Sequence, residues 1–248
     1  RSNTEEGSAM KIRVKFAKWG SMKFIGHLDM MRYFQKAVRR ADIDIRYSEG
    51  YSAHQIMSFA APLGVGITSD GEYFDIDVNS TMSSKESIDA FNAQMVDGVK
   101  VTGYVKLPDN AKTAMSLVAA ADYSLSYKDG YESPYSFEEW KNIIKEKFAD
   151  KDTFVVLKKT KKSEREVDIK PLVYRYEVKE ADKKPVFEMQ VSTGSTDNIK
   201  PEFVLEAIYK SCGLEYEPLS IQIHRQEVYA RDEHGELISL LDMGEDIL

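Results

Sequence analysis

The sequence predicts an α+β fold made of two tandem ferredoxin-like units, each ordered β-α-β-β-α-β with an antiparallel sheet. Three observations carry that prediction. Residues 11–18 alternate apolar with charged; Leu28, Met31, Phe34, Val38 and Ala41 then recur at helical spacing; and strand and helix signals in a comparable order begin again near Tyr123. A chain of 248 residues, 42% of them hydrophobic, has room for one large core or two smaller ones.

The opening RSNTEEGSAM is polar and carries a Gly-Ser-Ala stretch, so residues 1–9 read as a disordered expression leader outside the fold. In the first strand Ile12, Val14 and Phe16 take one side and Lys11, Arg13 and Lys15 the other, which predicts one solvated face. The following helix sets Arg32, Lys36, Arg39 and Arg40 roughly opposite its apolar residues. Residues 43–47 suggest a second strand, 73–78 a third, 84–95 a second helix and 99–107 a fourth strand, giving a first unit over 10–112. After the polar link 108–112, the second unit over 113–230 reads as strand 123–127, helix 136–148 and strand 154–157. A hairpin of 167–178 with 185–192, helix 200–211 and strand 219–228 complete it. The first of those helices opens on a capping box, Ser136 with Glu139, and the second has Pro201 in its first turn. Residues 231–248 read as an acidic C-terminal tail. The halves share no clear sequence identity, so the repeat is one of elements.

The net charge of −7 argues against a protein that coats nucleic acid over its whole surface, but the charge is unevenly placed. From Lys11 to Arg46 ten cations face three aspartates, whereas from Glu227 to Leu248 seven acidic residues face Arg231. The single cysteine, Cys212, excludes an intramolecular disulfide and a cluster held by cysteines of this chain, which points to a reducing compartment. No run approaches the roughly 18 apolar residues of a membrane span. A cytoplasmic protein with no membrane partner is expected. His27, His54, His224 and His234 show no H-x-x-x-H spacing, and neither a metal nor another cofactor is predicted.

The candidate binding residues cluster in the first half. Lys23, Arg32, Lys36, Arg39, Arg40 and Arg46 suit phosphates, whose contribution to affinity is independent of sequence and sensitive to salt. Tyr47 and Tyr51 suit stacking on bases, and His54 hydrogen bonding to them, in a loop where Gly50 fits a turn. Gly64, Gly66 and Gly71 allow close backbone approach to a phosphate, although glycines of this kind also serve simple turns. Lys158, Lys159, Lys161, Lys162 and Arg165 read either as a mobile basic clamp or as an ordinary solvated turn. His27 and His54 are the weak candidates for an acid and base pair acting on RNA through its 2′-hydroxyl; helical projection gives His27 a buried, structural place instead. No Ser/His/Asp or Cys/His set can be assembled, so a non-catalytic chain is the leading expectation.

The block FIGHLDMMRYFQKAVRRADIDIRYSEGYSAHQIMSFAAPLGVGITSDGEYFDI resembles DUF2344, a radical SAM-associated family of unknown function, and VDIKPLV with residues 187–211 resembles that family's second half. The chain departs from the family pattern at Ser52 and Gln55, where the family has Asn and Pro. The resemblance implies a partner radical SAM enzyme in nucleic-acid or ribosome-linked modification. This chain is not that catalyst by itself, since three cysteines hold such a cluster. The expected function is an RNA-binding or substrate-presenting accessory module. The tandem layout is also similar to CRISPR repeat-processing endoribonucleases, which makes a metal-independent nuclease the alternative. A third reading is a protein-interaction adaptor that docks through Leu237, Ile238, Leu240 and Leu241 of the tail.

Overall fold

The computed structural model describes residues 8–248, which form an α+β fold with a nine-strand mixed sheet and five α-helices. In chain order the elements are β1 (Met10–Lys18), α1 (His27–Arg40), β2 (Met57–Ala60), β3 (Thr68–Val78), α2 (Ser84–Asn92), β4 (Val99–Lys106) and the short α3 (Ala114–Leu117). Then come β5 (Ala120–Tyr127), α4 (Phe137–Ile144), β6 (Val155–Lys159), β7 (Glu164–Asp168), β8 (Val173–Ala181), β9 (Lys184–Ser192), α5 (Pro201–Ser211), β10 (Ile221–Arg231) and β11 (Leu237–Ser239). Two compact units result: residues up to Val118 together with Val228–Leu248, and Ala119–Glu227. Of the expected leader, residues 1–7 lie outside the described residues.

In the first unit β1 pairs antiparallel with β3 on one side and β4 on the other, and β2 pairs with β3 through Phe59 and Phe74. Ile12, Val14 and Phe16 enter the core as their alternation requires, where the Phe16 and Phe74 rings lie 4.6 and 4.8 Å from that of Phe34 on α1. The predicted solvated face of β1 is interrupted: Lys11 and Lys15 stay partly exposed, but the residue between them does not. Arg13 is wholly buried and Lys18 nearly so. Arg13 Nε and Nη2 donate to the two Asp75 oxygens at 2.9 and 3.1 Å, and Nη1 donates to the Leu240 carbonyl at 3.1 Å. Asp75 Oδ2 also accepts the Ala114 N–H at 2.7 Å. A buried guanidinium is tolerated because its donors are met by a carboxylate and main-chain carbonyls, and those partners come from remote stretches of sequence.

Helix α1 buries Met30, Phe34, Ala37, Val38 and Ala41 at or just beyond its end, whereas Leu28 is 66% exposed. The stripe is therefore rotated from the expected one: Met30 opens it at i, i+4, i+7 spacing, and Leu28 lies off it. Residues 43–47 form no strand and make only single bridges, Ile45 to Val78 and Tyr47 to Gln55. The second strand is β2, beyond the loop, and β3 starts at Thr68 rather than Tyr73, so that Gly71 lies within it. A second capping box closes on α2, where Ser83 Oγ accepts from Glu86 N–H and the Glu86 carboxylate accepts from Ser83 N–H.

In the second unit β5 pairs with β9 and β9 with β8, while β6 and β7 form a separate hairpin. The expected continuous strand 167–178 is split by a 3₁₀ turn, Lys170–Leu172, because Pro171 lacks the N–H a ladder needs. The β8–β9 turn sets Asp182 and Lys183 both at positive φ, 50° and 65°, the backbone a tight two-residue hairpin demands. Helix α4 opens on its capping box as predicted and ends in a π turn, Lys145–Ala149. Trp140 packs between Phe187 and Tyr209, with ring centroids 5.2 and 5.3 Å away.

The C-terminal stretch read as a separate acidic tail is part of the first unit. Tyr229 and Ser239 pair across β10 and β11, Glu245 and Lys106 exchange main-chain hydrogen bonds of 2.9 and 2.8 Å, and the Ile247 N–H donates to Ser84 Oγ. Leu240 is fully buried, and Leu241 sits so close over Gly103 that a Cβ there would meet Leu241 Cδ1 at 2.6 Å. Burial of apolar residues of the segment draws it onto the unit, while Leu237, Ile238 and Leu241 stay partly exposed.

Candidate nucleic-acid interface

After α1 the chain makes a narrow excursion before β2. Its base is held by Arg46 N–H to the Asp77 carbonyl at 2.8 Å and Ile56 N–H to the Arg46 carbonyl at 2.9 Å, and its neck by Ser48 N–H to the His54 carbonyl at 2.8 Å. Gly50 turns the tip at φ 103°, a conformation costly to any residue with a Cβ. Tyr51 beside it is fully solvent-exposed, and Tyr47 about half.

His54 is held by its own loop. Nδ1 lies 3.1 Å from the Ser52 carbonyl and 3.0 Å from Ser48 Oγ. Ser48 Oγ also accepts the His54 N–H at 3.1 Å, so the side chain is tied to the loop through Ser48 and the Ser52 carbonyl. The next residue ties the excursion to the helix, since Gln55 Nε2 donates to the Gln35 carbonyl of α1 at 3.1 Å. The turn of α1 after Gln35 presents Lys36, Arg39 and Arg40, all exposed, with no ion-pair partner among the described residues. Arg32 is exposed too and pairs with Asp29 at 3.2 Å, and Arg46 is half-buried at the base of the loop. The Gln55 bond thus ties the loop that carries the exposed aromatics to the helix that carries Lys36, Arg39 and Arg40.

Beneath the loop lies a cleft of about 280 Å³, whose polar lining includes Lys11, His54, Gln55, Asp75, Asp77 and Lys112. Of these His54 stood out in the sequence. Asp75 and Asp77 fall in the FDIDV alternation of β3, and that alternation was the available signal that two carboxylates share one face of a strand.

The other predicted residues fall elsewhere. The Gly66 N–H donates to the Lys23 carbonyl at 2.8 Å and the Gly71 N–H to Ser69 Oγ at 2.9 Å, so two of the three amides expected to cradle a phosphate are engaged by the chain itself. Gly64 is exposed. Lys23 Nζ stands 5.1 Å from the centroid of the Phe24 ring. His27 opens α1, half-buried, with its ring 5.6 Å from Phe59; burial and then the charge of Lys18 hold its pKa below the ordinary imidazole value. Among the described residues no hydrogen bond or ring contact joins His27 to His54. Lys158, Lys159, Lys161 and Lys162 lie exposed at the turn end of the β6–β7 hairpin, with Lys158 opposite Arg165 and Lys159 bridged to Glu164 at 2.9 Å.

Residues 11–201 match the model of DUF2344, described as an uncharacterized protein conserved in bacteria. The chain belongs to this family. The DUF2344 chain is also similar to an unknown protein from Galdieria sulphuraria whose crystal structure is known, at 11% identity over 88% of this chain and 97% of that one, with a TM-score of 0.24. None of the curated proteins matches it. Among its described residues, no helix is long and apolar enough to cross a membrane.

Proposed function

We propose that this DUF2344 protein is a non-catalytic RNA-binding module that presents its substrate to a separate radical SAM enzyme. The observation that supports the reading is the Gln55 to Gln35 hydrogen bond, which ties the excursion bearing Tyr47, Tyr51 and His54 to α1, the helix that exposes Lys36, Arg39 and Arg40. Stacking surfaces beside cations are what a single strand needs: bases with π faces, phosphates with charge. The loop and helix belong to one compact unit, so the surface does not depend on how the second unit is placed. The radical SAM partner rests on the resemblance described above and on the single cysteine of the chain.

The finer architecture belongs to the same proposal: each unit is ferredoxin-like. Supporting it are the sheet neighbours β4, β1, β3 and β2 in the first unit, an order that interleaves two β-α-β halves, and the β5, β9 and β8 pairing in the second.

Charge reversal at Arg39 and Arg40 tests the function. Binding to oligouridine is expected to weaken, and the slope of log K against log salt to flatten by about 1.4 if each residue meets one phosphate of a single strand. Unchanged binding at low salt would overturn the assignment. Cleavage of the RNA in the presence of chelator, abolished by His54→Ala, would replace it with the nuclease reading.

A further inference from the structure

The β6–β7 hairpin of the second unit has one edge that pairs with no other strand among the described residues. The Ile169 N–H donates to the Phe154 carbonyl at 3.0 Å and the Thr160 N–H to the Ser163 carbonyl at 2.8 Å. Those bonds fix the phase of the ladder. With Val156 opposite Val167 and Lys158 opposite Arg165, the even-numbered residues of β6 bond to β7, and the N–H and C=O groups of Val155, Leu157 and Lys159 turn to the open edge.

A groove of about 560 Å³ runs along that edge. Residues 154–157 and Lys159 form one wall. Successive strand residues point to opposite faces, so a consecutive run lines a space beside the strand rather than above it, and no residue of β7 takes part. The other wall is one stripe of α5, Phe203, Ala207 and Lys210 at i, i+4 and i+7. A strand edge that faces a helix across an apolar gap is the geometry that accepts an extended peptide: main-chain groups supply affinity, and alternate side chains enter the groove. Val155 and Leu157 are 54% and 49% exposed, so the apolar part of this unpaired edge is open to solvent.

The charge around the groove selects its occupant. Over residues 158–166 five cations meet two carboxylates. Lys159 is bridged to Glu164, and Lys158, Lys161 and Lys162 have no ion pair among the described residues. The β6 edge of a second copy would add positive charge to positive charge, whereas an acidic strand is attracted. We propose that the groove between β6 and α5 takes an extended segment of a partner protein, with apolar and acidic residues alternating, as a strand added to β6. The site lies within the second unit and does not rest on the RNA-binding reading, which concerns the first.

The experiment measures the fluorescence anisotropy of a labelled octapeptide, four Val-Glu repeats, with the full chain at low and high salt, beside four Val-Lys repeats. Because the amides of a strand alternate between its two edges, one further Val-Glu peptide is N-methylated at its valine amides and another at its glutamate amides. The Val-Glu peptide is expected to bind at least about tenfold more tightly than the Val-Lys one, with the difference shrinking as salt rises. The two methylated forms should differ at least about tenfold, since one alone keeps the amides that face β6. Leu157→Pro should weaken binding by at least about tenfold with an unchanged circular dichroism spectrum, because the N–H it removes points away from β7. Absence of binding at low salt, equal loss in both methylated forms, or wild-type binding by a folded Leu157→Pro chain would overturn the proposal; the methylated pair decides alone if that variant does not fold. Two other results put a different occupant on the edge and overturn it as well. Displacement of the peptide by oligouridine from the Arg39→Glu/Arg40→Glu variant would assign the hairpin to nucleic acid. A wild-type dimer in analytical ultracentrifugation that Leu157→Pro dissociates would assign it to a second copy.

Discussion

Replacing Arg13 with methionine isolates the interaction that the sequence conceals most completely. Methionine keeps much of the volume and removes the charge, leaving the Asp75 carboxylate buried with the Ala114 N–H as its remaining donor among the described residues and the Leu240 carbonyl without the Arg13 donor. Removing one member of a buried ion pair costs about 3–5 kcal/mol, since the other charge stays desolvated and uncompensated. At about 2–4 °C per kcal/mol for a chain of this size, the midpoint should fall by about 6–20 °C. Differential scanning calorimetry at neutral pH reads the shift, with urea titration as the check on cooperativity. The double variant Arg13→Met/Asp75→Leu should recover part of the loss, because it removes both charges and leaves only main-chain groups to be re-satisfied. A midpoint for Arg13→Met within about 2 °C of wild type would refute the reasoning and mean that the pair is solvated in the folded protein.

Leu240→Ala should destabilise the first unit by about 2–5 kcal/mol, measured by urea unfolding, because the side chain is fully buried; a neutral result would restore the C-terminal stretch to the status of a tail. Ser83→Ala should cost about 1 kcal/mol of stability through loss of the α2 cap, with circular dichroism as the readout. His27 carries a pH dependence: its pKa is lowered on folding, so its contribution is present above the unfolded value near 6.5 and is lost as pH falls through the folded one. The midpoint of wild type should therefore drop more steeply than that of His27→Gln from pH 7 to 5, and parallel curves would exclude the effect.

How far the site could be read in advance differs by residue. Tyr47, Gly50, Tyr51 and His54 announced themselves because aromatic and imidazole side chains around a glycine have few reasons to stand together in a polar loop. Gln55 did not, since its meaning depends on a hydrogen bond to Gln35, 20 residues earlier. Lys11 and Arg13 looked equivalent, two cations at alternate positions of one strand. The structure separates them: Arg13 is wholly buried against Asp75, whereas Lys11 is half-exposed at the cleft.

Local order was therefore within reach of the sequence. The alternation of β1, the period of α1, the capping box of α4 and the proline at the start of α5 each act over a few residues, and each element is present. The same holds for the α+β class, which follows from the order of those periods. Tertiary structure decided everything set by partners distant in the chain. It made β2 the second strand instead of residues 43–47, because Phe59 pairs opposite Phe74 on the core side of β3. It also drew the C-terminal residues onto the first unit and buried a guanidinium on a strand face that alternation alone assigns to water. The physical reason is common to all three: whether a polar or apolar group prefers water depends on what else can reach it, and the partners of Arg13 lie 62 and 227 residues further along the chain.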